Sequence, residues 1–431
     1  MCLNGLYLYA AGSDTGKTLD LNEAVRLALA NNLNLKKNQI DLASSGYQEK
    51  YLWSEIFPSI NANMSTGYSS PLFSGDGIEF NENALRQGVG LGLTLNFNAG
   101  IPYTIKNINL AHQGNILKYE DACNQLSIQV TKKFYSLITE KNNLAYLEEL
   151  YNLALKQYER NEVSFRNGLI GQLSLMQSRL TFENYRYNLL AANTVYQNNT
   201  AEFLAILGMS VDTQIDLSGD VSIVKIDADA QSLINDYLHK RPDIIRAVQE
   251  IERLEASEKQ SVLSGRAPSL TLSLEWSSSR INPFNDSLSG TARLSIPIDS
   301  WLSGTSKDQA IRRARESVEK AKLDLAMTED SAKTQIRSLT ALLRNSWNSI
   351  EAARLSQEVA VRSYELTEYG FINGTIEYLT LENARNNMAE SKQRLLQSEL
   401  SYFNMTLDLC TAVNIDWKKL TETFGVPGEE K

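Results

Sequence analysis

A mainly α-helical chain carrying a membrane β-barrel portion is the fold class this sequence predicts, and three observations predict it. Eight prolines and 23 glycines in 431 residues are clustered, leaving long stretches rich in Ala, Leu, Gln, Asn, Glu, Lys and Arg, mostly good helix formers. Four short segments alternate strictly between apolar and small or polar residues, the period of a strand with two unlike faces. The plan is also written twice. Residues 32–58 and 242–268 have equal length and pass from a polar helical segment into a strand-like one, and FRNGLIGQLSL (165–175) pairs with FINGTIEYLTL (371–381). A duplication this long predicts two structurally equivalent halves in one assembly.

Residues 1–18 read as an N-terminal tail or residual export signal, because residues 3–11 are apolar and end in Ala10-Ala11-Gly12. The first repeat is expected over 19–213. Asp20 and Glu23 have the spacing of a capping box, opening a helix that runs to Pro58. A β-hairpin follows over about 58–98, with Ile60, Ala62, Met64 and then Val89, Leu91, Leu93, Leu95, Phe97 on its greasy face. Past Pro102 a helix continues to about residue 167, with Val130, Phe134, Leu137, Leu144, Leu147, Tyr151, Ala154 and Tyr158 forming a coiled-coil seam. Some 60 helical residues reach roughly 90–100 Å, longer than an ordinary globular domain. Asn167-Gly168 turns the chain into a return helix ending near Gly208.

Residues 214–228 are expected as an irregular linker with a short strand. The second repeat, 229–413, begins with a helix over 230–265 containing Pro242. Its β-hairpin, about 268–298, alternates Leu270, Leu272, Leu274, Trp276 and then Ala292, Leu294, Ile296, Ile298, with a loop at 282–286. A long helix over 303–369 has its seam at Ile311, Ala314, Val318, Ala321 and Leu325, and Asn373-Gly374 turns it back toward Val413. Residues 414–431 read as a loose polar C-terminal tail.

Two hairpins cannot close a barrel, since the smallest membrane barrels use eight strands. Each strand, about ten residues, suffices to cross a bilayer at a tilt near 45°. Three chains would give twelve strands and no free edge. The Gly, Ser, Thr and Asn face suits a water-filled lumen, and Arg293 falls on that face, where it stays hydrated. Closing the sheet therefore calls for several chains, and the long coiled-coil hairpins, packed the same way, would extend the lumen into an α-helical tube.

Other function classes lose support. A net charge of −9 disfavours nucleic acid as a partner. Cys2, Cys123 and Cys410 are too far apart in sequence for a metal motif, and His112 and His239 lie in different helices without a carboxylate cluster. No catalytic, cofactor or metal site is expected. Ala11-Gly12-Ser13-Asp14-Thr15-Gly16-Lys17-Thr18 nearly spells a phosphate-binding loop, but no α/β alternation follows it. A soluble coiled-coil scaffold or adaptor is the alternative reading, and it has no use for two symmetric greasy hairpins.

Several stretches resemble TolC-type outer membrane efflux proteins: Thr18-Leu19-Asp20-Leu21-Asn22-Glu23-Ala24 with Leu27-Ala28-Leu29-Ala30-Asn31-Asn32, the Pro58 and Pro268 helix-to-strand junctions, Ile296-Pro297-Ile298-Asp299 leading to Gly304, and Gly374-Thr375-Ile376-Glu377-Tyr378-Leu379 with Ala384. The resemblance spans roughly residues 19–413. It implies a homotrimeric 12-stranded barrel in the outer membrane joined to a periplasmic α-helical tunnel, acting as the passive exit duct of a tripartite efflux or type I secretion system. Partners implied are a periplasmic adaptor (membrane fusion) protein, an inner-membrane pump of the RND or ABC type that supplies the energy, and outer membrane lipid.

The resemblance also implies roles. The family's tips, often Val-Gly-Leu or Val-Gly-Thr, meet the adaptor; here they read Asn167-Gly168-Leu169 and Asn373-Gly374-Thr375, with Asn in place of Val. Rings of aspartate that narrow some relatives fall on Thr380 and Asn383, with Ser174 and Gln177 their equivalents in the first half, so the acidic ring is missing. Glu377 and Glu382 lie nearby and could supply charge at this periplasmic aperture in threefold symmetry, although a charge on an exposed helix is usually only solvated. Tyr68, Phe97, Trp276 and Trp301 lie near strand ends, where an aromatic girdle sits.

Overall fold

The computed structural model describes residues 17–68, 73–74, 77–78, 85–219, 223–280 and 284–426. In chain order they form β1 (Lys17–Leu19), α1 (Leu21–Asn31), α2 (Leu33–Lys50), β2 (Ser59–Tyr68), β3 (Phe73–Ser74), β4 (Gly77–Ile78), β5 (Leu85–Asn98), α3 (Ile101–Arg166), α4 (Gln172–Leu207), β6 (Ile215–Leu217), β7 (Lys225–Ile226), α5 (Ala230–Tyr237), α6 (Pro242–Arg266), β8 (Ser269–Arg280), β9 (Phe284–Ser295), α7 (Ser306–Ile372), α8 (Tyr378–Val413), α9 (Trp417–Phe424) and β10 (Gly425–Val426). The internal duplication is plain in this order: helix, hairpin, a helix of 66 or 67 residues, then one of 36. The residues fall into two compact units. Residues 1–16, which hold Cys2 and most of the expected export signal and near phosphate loop, lie outside the described residues, while Lys17 and Thr18 begin β1.

One unit comprises Gln39–Lys118 and Asp243–Glu329. It holds a four-stranded antiparallel sheet in the order β2-β5-β8-β9, so the two hairpins join through β5 and β8. β9 starts at Phe284, which shortens the loop expected at 282–286, and it ends at Ser295 rather than Ile298. Residues Ile298–Trp301 instead form a 3-10 turn. That turn is fastened through Asp299, whose carbonyl accepts from Thr305 Oγ1 (2.8 Å) and whose carboxylate accepts from Lys307 Nζ (3.0 Å). The helices are cross-linked by polar side chains: Gln260 donates to Thr104 (2.8 Å) and accepts from Asn107 (2.9 Å), and His112 contacts Ser45 (3.0 Å) and Glu49 (3.4 Å).

The other unit comprises Met1–Asn38, Tyr119–Pro242 and Asp330–Lys431. Its core gathers Leu19, Ala24, Ala28, Val130, Phe134, Leu137, Phe203, Leu207 and Leu217, which buries the first three residues of the expected α3 seam; Leu144, Leu147, Tyr151 and Tyr158 are half-buried. Lys133 meets Glu202 and, a turn or two on, Glu140 accepts from Asn199, so α3 and α4 run antiparallel. Two short ladders trim the unit, β1 with β6 in parallel and β7 with β10 antiparallel.

Three further expectations change. The first helix breaks at Asn32, whose side chain accepts from the N–H groups of Asn34 and Leu35 and donates to the Ile206 carbonyl. That side chain caps α2 and ends α1, the competition that makes Asn a helix-start residue. The helix expected over 230–265 is two, because Pro242 lacks an N–H and begins α6 instead of continuing α5. The C-terminal tail is not loose through Val426: α9 buries Leu420 and packs Trp417 against Phe403 in a tilted pair with ring centroids 5.1 Å apart.

Candidate pore face and helical tips

The sheet's register makes two chemically opposite faces. Leu91 pairs with Trp276, which pairs with Leu288; one step along, Gly92 pairs with Glu275, which pairs with Ser289. The first face continues through Leu93, Leu95, Phe97, Leu270, Leu272, Leu274 and Leu294, and these side chains are exposed or half-exposed. Burying one such side chain yields about 1.5–3 kcal/mol, so this face requires an apolar surrounding. The second face carries Asn61, Asn63, Thr271, Ser273, Ser277, Thr291 and the charges Glu275 and Arg293. Its groups bond one another across strands, Thr271 to Asn96 at 2.9 Å and Ser277 with Ser287 at 2.8 Å. Asn61 and Asn63 lie over Gly92 and Gly90, filling the space a Cβ would take. One face thus fits hydrocarbon and the other water.

The two helical tips share one backbone design. At the end of α3, the Leu169 N–H reaches the Ser164 carbonyl (2.8 Å) and the Gly168 N–H reaches Phe165 (2.9 Å). At the end of α7, Thr375 reaches Gly370 (2.9 Å) and Gly374 reaches Phe371 (3.0 Å). Both are Schellman caps, which need a left-handed residue after the helix. Gly168 and Gly374 supply it with φ of 71° and 74°. Open space surrounds both positions, so glycine is there for its φ. Asn167, Leu169, Asn373 and Thr375 are exposed beside them.

A family model described as outer membrane efflux protein matches residues 24–209 and again 233–414. The chain belongs to the outer membrane efflux protein family. Membership makes this efflux protein an outer membrane channel and not an enzyme. A search of curated proteins finds no sequence match. Among solved structures, the Campylobacter jejuni CmeC outer membrane channel is 17 % identical, with TM-score 0.75 over 95 % of this chain and 87 % of CmeC. The Vibrio cholerae outer membrane protein VceC is 15 % identical, with TM-score 0.73 over 92 % of this chain and 96 % of VceC. The open state of the Neisseria gonorrhoeae MtrE outer membrane channel is 14 % identical, with TM-score 0.72 over 92 % and 89 %. These likenesses establish the fold of the efflux protein.

Within that fold, Glu377, Thr380 and Asn383 are exposed around the start of α8, whereas Ser174 and Gln177 on α4 are half-buried. Phe97 pairs with Leu270 at the helix-proximal end of the sheet, and Trp301 is exposed just beyond that end. Trp276 stands nearer the opposite end, where β2 finishes at Tyr68.

Glu382 departs from its expected role as an aperture charge. Its carboxylate is buried and takes the Arg385 guanidinium at 2.6 Å, with Arg385 itself only 2 % exposed. Around the pair, Tyr185 on α4 donates to Asn386 (2.9 Å), and the guanidinium lies 5.9 Å from the Tyr364 ring. Burial holds the Glu382 carboxyl above the ordinary carboxylate range, with Arg385 opposing the shift. Burial, reinforced by Glu382, pushes the Tyr185 phenol up to about 12. The sequence offered only the Glu-x-x-Arg spacing, which on an exposed helix is an ordinary surface pair.

Proposed function

We propose that three copies of this efflux protein close their open sheets into one 12-stranded barrel, continued by an α-helical tunnel in the periplasm, and that the trimer is the passive exit duct of a tripartite efflux or type I secretion system. The single observation that carries the reading is the four-stranded sheet with unlike faces, whose outer strands β2 and β9 have no further strand partner among the described residues. An open edge beside an apolar exposed face is a liability unless another strand covers it, and closure removes both edges. The apolar face then meets outer membrane lipid, while Glu275, Arg293 and the Ser, Thr and Asn side chains line water.

On this reading the glycine tips, Asn167-Gly168-Leu169 and Asn373-Gly374-Thr375, dock a periplasmic adaptor protein, which links the duct to an inner-membrane pump of the RND or ABC type. Ser174, Gln177, Glu377, Thr380 and Asn383 border the periplasmic aperture, and Tyr68, Phe97, Trp276 and Trp301 form the girdle. The repeats are 19–213 and 229–413, linked by 214–228. Mass measurement in detergent tests the assembly: three chain masses are expected, and a monomer or dimer as the largest stable species would overturn it.

A further inference from the structure

We propose that Asn167 is a modification site, at which the chain converts its own asparagine to aspartate and isoaspartate, and that the matching Asn373 is protected from the same reaction. The inference stands apart from the barrel and from any docking partner.

The chemistry begins in the sequence. Asn-Gly occurs at 4–5, 167–168 and 373–374, and the first pair lies outside the described residues. In such a pair the glycine backbone nitrogen attacks the side-chain carbonyl carbon of the asparagine. A bond forms from that nitrogen to Cγ and the Cγ–Nδ2 bond breaks. The side-chain nitrogen leaves as ammonia, carrying the proton that the backbone nitrogen gives up. Water then opens the five-membered succinimide ring at either of its carbonyls, giving aspartate or isoaspartate. Water is the only co-reactant. Glycine favours the attack because no Cβ crowds its nitrogen.

The structure separates the two exposed pairs. Their attacking nitrogens are held alike, Gly168 by the Phe165 carbonyl (2.9 Å) and Gly374 by the Phe371 carbonyl (3.0 Å). Each bond closes the last turn of a helix at an exposed end, where local opening is easiest. Attack requires that turn to open and the amide to swing onto the glycine nitrogen. At the end of α7 two side chains oppose this. Asn373 Nδ2 donates to the Tyr369 carbonyl (2.9 Å), which ties the amide back along the helix. Thr375 Oγ1 donates to the Gly370 carbonyl (2.9 Å), doubling the bond that the Thr375 N–H makes there. At the end of α3 the Asn167 amide is exposed and has no hydrogen-bond partner among the described residues. Leu169 stands where Thr375 does, has no hydroxyl and is 75 % exposed. The end of α3 is therefore held by its backbone alone.

The products matter to the tip. Aspartate adds a negative charge at the C-terminal end of α3, where the last carbonyls already carry partial negative charge. Isoaspartate routes the backbone through Cβ and breaks the cap. Two tips that share one backbone design become chemically unlike.

The test compares the folded protein in detergent with the same protein in denaturant, both held in mildly alkaline buffer. Tryptic peptides are followed by mass spectrometry, with enzymatic methylation to count isoaspartate. Residues 167–179 carry Asn167 as their one asparagine, and fragmentation of residues 363–385 separates Asn373 from Asn383. Each folded rate is divided by the unfolded rate of the same site, which removes any effect of flanking sequence. The ratio for Asn167 should exceed that for Asn373 by at least about fivefold, the factor that one ordinary hydrogen bond contributes to an opening equilibrium. Isoaspartate should accumulate at Asn167, because only the ring yields it. Thr375→Val, which removes the hydroxyl and keeps the shape, should speed conversion of Asn373 in the folded protein. Equal ratios, a larger ratio at Asn373, or no isoaspartate at Asn167 while the unfolded chain converts would overturn the proposal. So would a Thr375→Val protein in which Asn373 reacts no faster.

Discussion

Gly168 and Gly374 end their helices in the same turn, yet the helices that leave those turns face opposite surroundings. Counting from each glycine, Met176 on α4 occupies the position of Glu382 on α8, and Arg179 that of Arg385. Met176 is 61 % exposed, whereas Glu382 is buried. Arg179 is exposed and Arg385 is not. The inversion extends along α4, where Leu173, Met176, Leu180, Tyr187 and Leu190 form an exposed apolar stripe at helical spacing. Duplication has preserved the backbone device that ends a helix, while packing has reassigned the faces. α8 sits against Tyr364 and Tyr185 and has internalised charge; α4 has kept a greasy face outward, suited to a neighbouring copy in a trimer.

Breaking the buried pair should have the largest effect. Removing one partner, Glu382→Leu or Arg385→Leu, leaves an uncompensated buried charge and should cost about 3–5 kcal/mol. The double change should be close to neutral, because apolar replacement of both partners also removes their desolvation penalty. Denaturant unfolding in detergent of the two singles and the double gives the coupling directly. The same substitutions at the α4 equivalents, Met176 and Arg179, should change stability by no more than about 0.5 kcal/mol, as at other surface sites.

Next come the turns, where the repeats should agree. Gly168→Ala and Gly374→Ala each place a Cβ in the left-handed region, at roughly 1–2 kcal/mol. Unequal losses would show that one tip is held by contacts beyond its own cap.

A smaller effect separates the repeats again through pH. The folded-state pKa of Glu382 is raised by burial, so the folded protein holds that proton more tightly than the unfolded chain. Stability should therefore rise as pH falls through the folded value toward the unfolded one, and the burial penalty should be fully present above the folded value. Unfolding curves of the protein and its Glu382→Gln variant, followed from neutral pH down through the ordinary carboxylate range, check this: the relative gain on acidification must vanish in the variant. The smallest effect on the chain itself should come from Leu180→Glu on the α4 stripe, which should weaken the trimer in mass measurements while leaving unfolding nearly unchanged.

Much of the fold was legible because its signals are local. The strand parity that separates Leu274 from Glu275, the seam through Val130 and Phe134, and the paired Asn-Gly turns each need only a short window of sequence. What escaped depends on distant partners. Asn32 reads as one more residue in a helix until its amide meets the Ile206 carbonyl. Residues 417–424 read as polar tail because one buried leucine, Leu420, and one ring contact, Trp417 with Phe403, are weak signals in sequence. At the candidate site, the tips were legible and the burial of Glu382 was not. Its spacing to Arg385 is local, but the tyrosines that exclude water come from other helices.

Single-channel recording in planar bilayers, with the protein and its Arg293→Glu variant, tests the central claim that the polar face of the sheet lines a pore. Discrete conductance steps are expected from both, with the variant's reversal potential shifted toward greater cation preference under a salt gradient. Absence of steps, or steps whose reversal potential ignores the charge at position 293, would contradict it.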